Sequence, residues 1–180
     1  GLSAQDQGLS ARIDTYLKPL LEEDLISGAL LVARGDQILA QKAFGPANRE
    51  YRQPCRLDTR FRLASVSKSF TAAAILLLQQ DGKLSVNDPL ATFFPDYPNG
   101  DKIKLYHLLN HSSGVVNYSV LEDHYRVWAM PHTQEQVIAR FRDKPLQFEP
   151  GTRWQYSNSG YVLLAAVIEK VVGQPYGVFL

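Results

Sequence analysis

The sequence has one cysteine, and that already removes a class of folds. Cys55 has no second cysteine to pair with, so no internal disulfide holds the chain together. It lies in the loop-like Arg52-Gln53-Pro54-Cys55-Arg56 and reads as a bystander thiol, not a nucleophile. Long apolar runs are missing too. The longest are about eight residues, whereas a membrane-spanning helix takes ~20. Neither sign of charge dominates, and the net charge is +1. No basic run interleaves with aromatics, which argues against nucleic acid as a partner. There is no internal repeat, low-complexity segment, phosphate loop, dinucleotide fingerprint or Gly-x-Ser-x-Gly elbow. No signal-peptide pattern opens the chain, and Gly1–Gln7 reads as a processed terminus or an arbitrary end.

What remains is ordinary soluble material. A chain of 180 residues, 45% apolar and 21% charged, can bury a real core. Residues 9–26 place Leu9, Ile13, Leu17, Leu20, Leu21 and Leu25 at helical spacing, with Pro19 as a possible kink. After Gly28, the continuous run Ala29–Ala33 predicts a central strand, Arg34–Gln37 a tight turn, and Gln37–Phe44 the returning antiparallel strand. Residues 45–60 read as loop. Beyond residue 84, turn residues are dense, and Tyr97-Pro98-Asn99-Gly100 is a turn by composition. Helices are predicted over Leu105–Asn110, Val120–Met130, Thr133–Asp143 (with a Thr133/Gln136 capping box) and Ser159–Val172, with Gly173 as its stop. The fold class is α+β: an N-terminal helix and β-hairpin over 1–60, then a nucleophile helix and helical subdomain over 61–180. An isolated hairpin is marginally stable, so these strands call for more sheet than the chain supplies.

The chain is organised around residues 61–82. From Thr71 to Leu78 there is no charged residue, which predicts a helix buried all round, ended by Gly82. Ser65 stands at its N-terminus and Lys68 three residues on, on the same face. An ammonium in the first turn opposes the helix dipole and loses hydration, so its placement suggests a task. Ser-x-x-Lys is a nucleophile-plus-base spacing. With 12 serines and 8 lysines in the chain, chance alone supplies about 0.5 such spacings. The spacing therefore needs partners elsewhere.

Tyr156 and Asn158 are the candidates. They alternate just ahead of the second apolar helix, and an extended backbone there points both to one side. A phenol beside an ammonium can exchange a proton near neutral pH, and an amide can accept from the lysine while donating to a carbonyl. The plainer reading is a capping Asn158 with a core Tyr156. His107 and His111 stand i, i+4, but Leu108 fills the place of the glutamate in H-E-x-x-H and no third ligand is evident. No metal and no cofactor are expected, and both histidines read as structural. His124 and His132 have no nameable partner.

Four segments in order carry a resemblance: Arg60–Thr71 with Ser65-x-x-Lys68, Asp81–Pro89, His107–Gly114, and Pro150–Tyr161 with Tyr156-x-Asn158. Together they resemble the serine β-lactamase and penicillin-binding superfamily. They are most similar to its branch of class C β-lactamases, D-Ala-D-Ala carboxypeptidases and β-lactamase-like esterases. The similarity runs from about Ser10 to Leu180. It implies a serine acyl hydrolase acting through an acyl-enzyme on an amide, β-lactam or ester carbonyl, with a small-molecule or peptide substrate. Ser65 would be the nucleophile, Lys68 and Tyr156 would share the proton traffic, and Asn158 would orient lysine and substrate. The Ser65 N–H would be one oxyanion donor.

The family's third motif, Lys-Thr-Gly or His-x-Gly, follows no lysine or histidine here. The chain therefore looks like the front portion of a longer protein, with most of the antiparallel sheet supplied by a second chain or a C-terminal portion. The alternative is a catalytically silent fragment, or a binding or assembly module derived from the family. Family habit implies the periplasm or the outside of the cell, and the single cysteine leaves the cytoplasm open.

Overall fold

The computed structural model describes residues 4–180, with side chains from Gly8 onward. The processed-terminus reading of Gly1–Gln7 rests in part on Gly1–Ser3, which lie outside the described residues. The chain divides into two compact units, residues 1–62 and 63–180.

The first unit begins with helix α1, Ala4–Glu22. Leu25 was expected on its apolar stripe, but the helix stops sooner. Asp24 takes φ +52°, Asp24 N–H donates to Leu21 O at 3.1 Å and Leu25 N–H to Leu20 O at 2.8 Å. That pair of bonds is a Schellman close, and Arg49 ion-pairs with Asp24 on it. Leu25 is left exposed. Pro19 is accommodated within the helix. Strands β1, Gly28–Arg34, and β2, Gln37–Phe44, form the predicted antiparallel hairpin, with a register shift between Val32 and Ala33. Its turn uses Gly35 at φ +57°. β1 is not a central strand among the described residues. It pairs with β2 alone, alternate residues face outward, and Leu31 is exposed. Apolar continuity records that both faces of β1 can be covered, not that both are. Lys42 of β2 reaches Asp14 of α1 at 2.7 Å. The loop-like stretch 45–60 contains a second small hairpin, β3 (Pro46–Asn48) with β4 (Gln53–Pro54). Strands of three and two residues are too short for a period to show.

The second unit is helical. A 3₁₀ turn, Ala64–Val66, leads into α2, Ser67–Gln80. Gly82 ends α2 as expected: at φ +68°, its N–H bonds Gln79 O at 3.0 Å and Lys83 N–H bonds Leu78 O at 2.9 Å. A turn-rich connection follows, and Tyr97–Gly100 is the turn its composition predicts, with Asn99 left-handed. Next come α3 (Leu105–Leu109), α4 (His124–Val127), α5 (Gln134–Ala139), α6 (Asn158–Val172) and α7 (Tyr176–Phe179). The expected Val120–Met130 helix breaks into a 3₁₀ turn, Tyr118–Val120, and the short α4. The cause is local: Asn117 Oδ1 accepts from Ser119 N–H, and Leu121 is extended. The Thr133/Gln136 capping box forms, but α5 stops at Ala139.

The core lies between α2, α3 and α6. Ile75, Leu78, Leu90, Ile103, Leu105, Leu108, Phe141, Leu163, Leu164, Val167 and Ile168 are essentially removed from solvent. Each such side chain contributes about 1.5–3 kcal/mol by burial. One face of α2 is a correction to the sequence reading. Thr71, Ala74, Ile75 and Leu78 are buried, but Phe70, Leu76 and Leu77 are 51–57% exposed. A helix without charge was read as buried all round, but among the described residues this one is covered on one side only. No helix is long and apolar enough to cross a membrane among the described residues.

Candidate active site

Two chain segments about 90 positions apart build the site, one ending in each of the two apolar helices. Ser65 is the middle residue of the 3₁₀ turn, so it precedes α2 instead of lying within it. Ala64, just before it, has φ +46°, a left-handed conformation costing about 1–2 kcal/mol for a residue with a Cβ. Ser65 is exposed there, and Lys68 follows in the first turn of α2, half-buried.

The other segment is the lead into α6. Ser157 is extended, with φ −140° and ψ 120°, so its neighbours Tyr156 and Asn158 both reach the serine side. Tyr156 Oη lies 2.8 Å from Ser65 Oγ. Lys68 Nζ donates to Ser65 Oγ at 3.2 Å and to Asn158 Oδ1 at 2.8 Å. The four residues singled out from sequence are thus joined by hydrogen bonds. The plainer reading of Asn158 as a helix cap does not hold, because Ser157 occupies the cap position and the Asn158 amide points to Lys68. The first-turn lysine is compensated by that amide, and its Nζ lies 5.0 Å from the centre of the Tyr156 ring and 5.5 Å from that of Tyr161.

Hydrogen-bond inventory leaves the serine hydrogen available to Tyr156, and either oxygen can be the donor between them. An ammonium only donates, so Ser65 Oγ accepts from Lys68 and its own hydrogen is free for Tyr156. Burial pushes the Tyr156 phenol up, but the Lys68 ammonium and the bond to Ser65 outweigh it and bring the phenol below its ordinary value. Tyr161, one turn on, moves the other way through burial and the neighbouring Tyr156.

Three residues hold this arrangement, of which Asn117 and Ser119 were not singled out in the sequence and His111 was read there as structural. Asn158 Nδ2 donates to Ser119 Oγ at 3.1 Å, and Ser119 Oγ donates to Asn117 Oδ1 at 3.0 Å. Asn117 Oδ1 also accepts from Asn158 N–H at 3.2 Å. This relay fixes which way the Asn158 amide faces, with oxygen to Lys68 and nitrogen to Ser119. The signal available was Asn117-x-Ser119, a local capping pattern, but nothing in it pointed across 40 residues. The third is His111, whose ring centre lies 4.6 Å from that of Tyr156. His107 is buried, with Nδ1 accepting from Lys104 N–H at 3.1 Å. His132 bonds Val127 O, and His124 stacks on Trp128. These are structural placements. Cys55 is buried in the other unit. No group of His, Cys, Asp and Glu suited to a metal is found among the described residues.

A cavity of about 440 Å³ opens beside Lys68 and Asn158, with Tyr118, His132, Thr133 and Tyr176 on its walls.

The Beta-lactamase family profile matches residues 12–180. The chain belongs to the beta-lactamase family. Within that family it is 34% identical over 178 residues to a penicillin-binding protein of Bacillus subtilis strain 168, a match covering 97% of this chain and 39% of that protein. It is 36% identical over 184 residues to Esterase EstB of Burkholderia gladioli, covering 93% of this chain and 46% of the other. Among solved structures, a penicillin binding protein from Bacillus halodurans superposes with a TM-score of 0.78 at 34% identity, over 91% of this chain and 52% of that one. The family inferred from four short segments is the family found, and its α+β fold is the fold observed. The chain spans less than half the length of these curated relatives.

Proposed function

We propose that this chain carries the nucleophile-bearing part of a serine acyl hydrolase. One observation carries the reading: Ser65 Oγ lies between the Tyr156 phenol at 2.8 Å and the Lys68 ammonium at 3.2 Å, with Lys68 anchored on Asn158. Ser65 attacks an acyl carbonyl as its proton passes to Tyr156 Oη. The carbonyl oxygen takes up the electron pair and is received by the Ser65 N–H in the turn that leads into α2. The tetrahedral species collapses to the acyl-enzyme as Tyr156 returns the proton to the leaving nitrogen or oxygen. Lys68 stabilises the phenolate before the transfer and the alkoxide during it. Water repeats the sequence in reverse order to release the acid. The second oxyanion donor and the rest of the sheet come from a further segment or partner, since no Lys-Thr-Gly or His-x-Gly triplet occurs here.

The substrate is an amide, β-lactam or ester, with peptides and β-lactams ahead of simple esters. The cavity beside Asn158 gives the acyl side chain room. The test is incubation with a fluorescent penicillin and with p-nitrophenyl acetate, followed by intact mass and peptide mapping. A covalent increment on Ser65, absent in Ser65→Ala, is expected. An adduct that persists in Ser65→Ala would overturn the reading. So would the absence of any adduct both in this chain and in a form extended at its C-terminus. The missing third motif favours a second reading, a catalytically silent binding module, and turnover of either substrate excludes it.

A further inference from the structure

α3 ends at Leu109, and two residues later the backbone turns left-handed at His111, φ +63°. Outside glycine this conformation is uncommon, with Asn, Asp and His enriched in it, and its persistence at one position asks for a reason. The turn is well held: Asn110 Oδ1 accepts from both the N–H and the hydroxyl of Ser112, at 3.1 and 2.6 Å. Ser112 O in turn accepts from Gly151 N–H at 2.8 Å.

What the left-handed residue does is grip the segment carrying Tyr156 on both sides. The His111 carbonyl accepts from Gln155 N–H at 2.9 Å, and its ring Nδ1 accepts from Ser157 N–H at 3.3 Å. The imidazole also packs on the Tyr156 ring at 4.6 Å and the Tyr161 ring at 5.3 Å. We propose that His111 is the positioning residue for Tyr156, holding the phenol against Ser65 by bonding the backbone immediately before and after it. This rests on the acyl-hydrolase reading for its consequence in rate, but not for its geometry.

The clamp requires a free lone pair on Nδ1, hence the neutral ring with its hydrogen on Nε2. Protonation would set an Nδ1–H against the Ser157 N–H and break the grip. The titratable groups facing the imidazole are Lys68 from α2, Tyr156 from the lead into α6, and Tyr161 from α6. Burial, then the Lys68 charge, hold His111 below its ordinary value. The neutral, gripping form is therefore the resting one at neutral pH.

Asparagine separates positioning from bulk. Its Oδ1 can accept where Nδ1 does, it tolerates the left-handed backbone, and it does not titrate. Phenylalanine keeps the ring and loses the acceptor. The experiment compares wild type, His111→Phe and His111→Asn by acylation with a fluorescent penicillin over about pH 5–8, and by NMR titration of ¹³C-labelled Tyr156. His111→Phe is expected to acylate about 10²-fold more slowly, with Tyr156 titrating closer to an ordinary phenol. His111→Asn is expected to recover most of that rate and to lose the part of the acid limb that His111 protonation adds to that of Tyr156. Unchanged acylation and an unmoved Tyr156 titration in His111→Phe would overturn the proposal. Equal losses in both variants would do the same. If neither this chain nor the form extended at its C-terminus is acylated, the hydrolase reading fails and the Tyr156 titration alone decides the clamp. If His111→Phe does not fold, an acid limb in His111→Asn as deep as that of the wild type overturns it.

Discussion

α2 and α6 look alike in sequence and differ in three dimensions. Both are uncharged through their middles, both end on a left-handed glycine, and each brings two of the four site residues to its N-terminal end. α6 is enclosed: Leu163, Leu164, Val167 and Ile168 have no exposed surface. α2 is enclosed on one side, while Phe70, Leu76 and Leu77 face solvent. Apolar composition records what a helix can bury, and only neighbours decide how much of it is buried. In α6 the neighbours are all in this unit. In α2 one side stays exposed among the described residues.

The comparison can be tested in descending order of effect. If the two helices contribute halves of one proton relay, Lys68→Met from α2 and Tyr156→Phe from the α6 side should each slow acylation of Ser65 about 10³-fold. The double variant should be little worse than either alone, because groups acting as a unit are not additive. Multiplicative losses in burst kinetics would mean two independent devices. Next comes burial. Leu164→Ala should cost about 2–5 kcal/mol in urea unfolding, and Leu77→Ala no more than about 0.5 kcal/mol. Equal costs would show that α2 is covered after all.

A smaller effect should come from the relay behind Asn158. Ser119→Ala removes the acceptor that holds the amide nitrogen and should lower acylation by about tenfold, the equivalent of about 1.4 kcal/mol. No change would show that Lys68 alone orients Asn158. The gentlest test is pH. Burial first, then Lys104 for His107 and Lys68 for His111, hold both imidazoles below their ordinary value. The unfolded chain then binds protons that the folded one does not. Stability from this source is complete above the ordinary value of 6.5 and declines as pH falls below it. The urea midpoint should drop between neutral pH and about pH 5, the lower end of the range where histidine changes charge. A midpoint that rises on acidification would contradict the assignment.

Much of this was readable in the sequence where one residue decides a local outcome. Gly82 and Gly173 stop their helices at φ +68° and +69°, and Thr133 with Gln136 closes the predicted capping box. The hairpin turn falls at Gly35-Asp36. Ser65, Lys68, Tyr156 and Asn158 were found because short spacings and family order singled them out. Left-handed backbone at residues other than glycine was not readable. Asp24 ends α1 early, Ala64 bends the turn before Ser65, and His111 aims its ring at Tyr156. In each case the residue carries a Cβ, so local preference disfavours the conformation it takes. The Asn117–Ser119 relay escaped for a related reason, since its partner Asn158 is 39 positions beyond Ser119.

The distance in sequence between the two halves of the site has a consequence for synthesis. Ser65 and Tyr156 are 91 positions apart. A ribosome adding about 5–20 residues per second takes roughly 5–18 s to cover that interval. Throughout that time the serine is an ordinary alcohol, because neither its phenol nor the amide that anchors Lys68 has yet been made. Until Tyr156 is added, the proposed acyl chemistry has its alcohol without its phenol, a delay set by the order of residues in the chain.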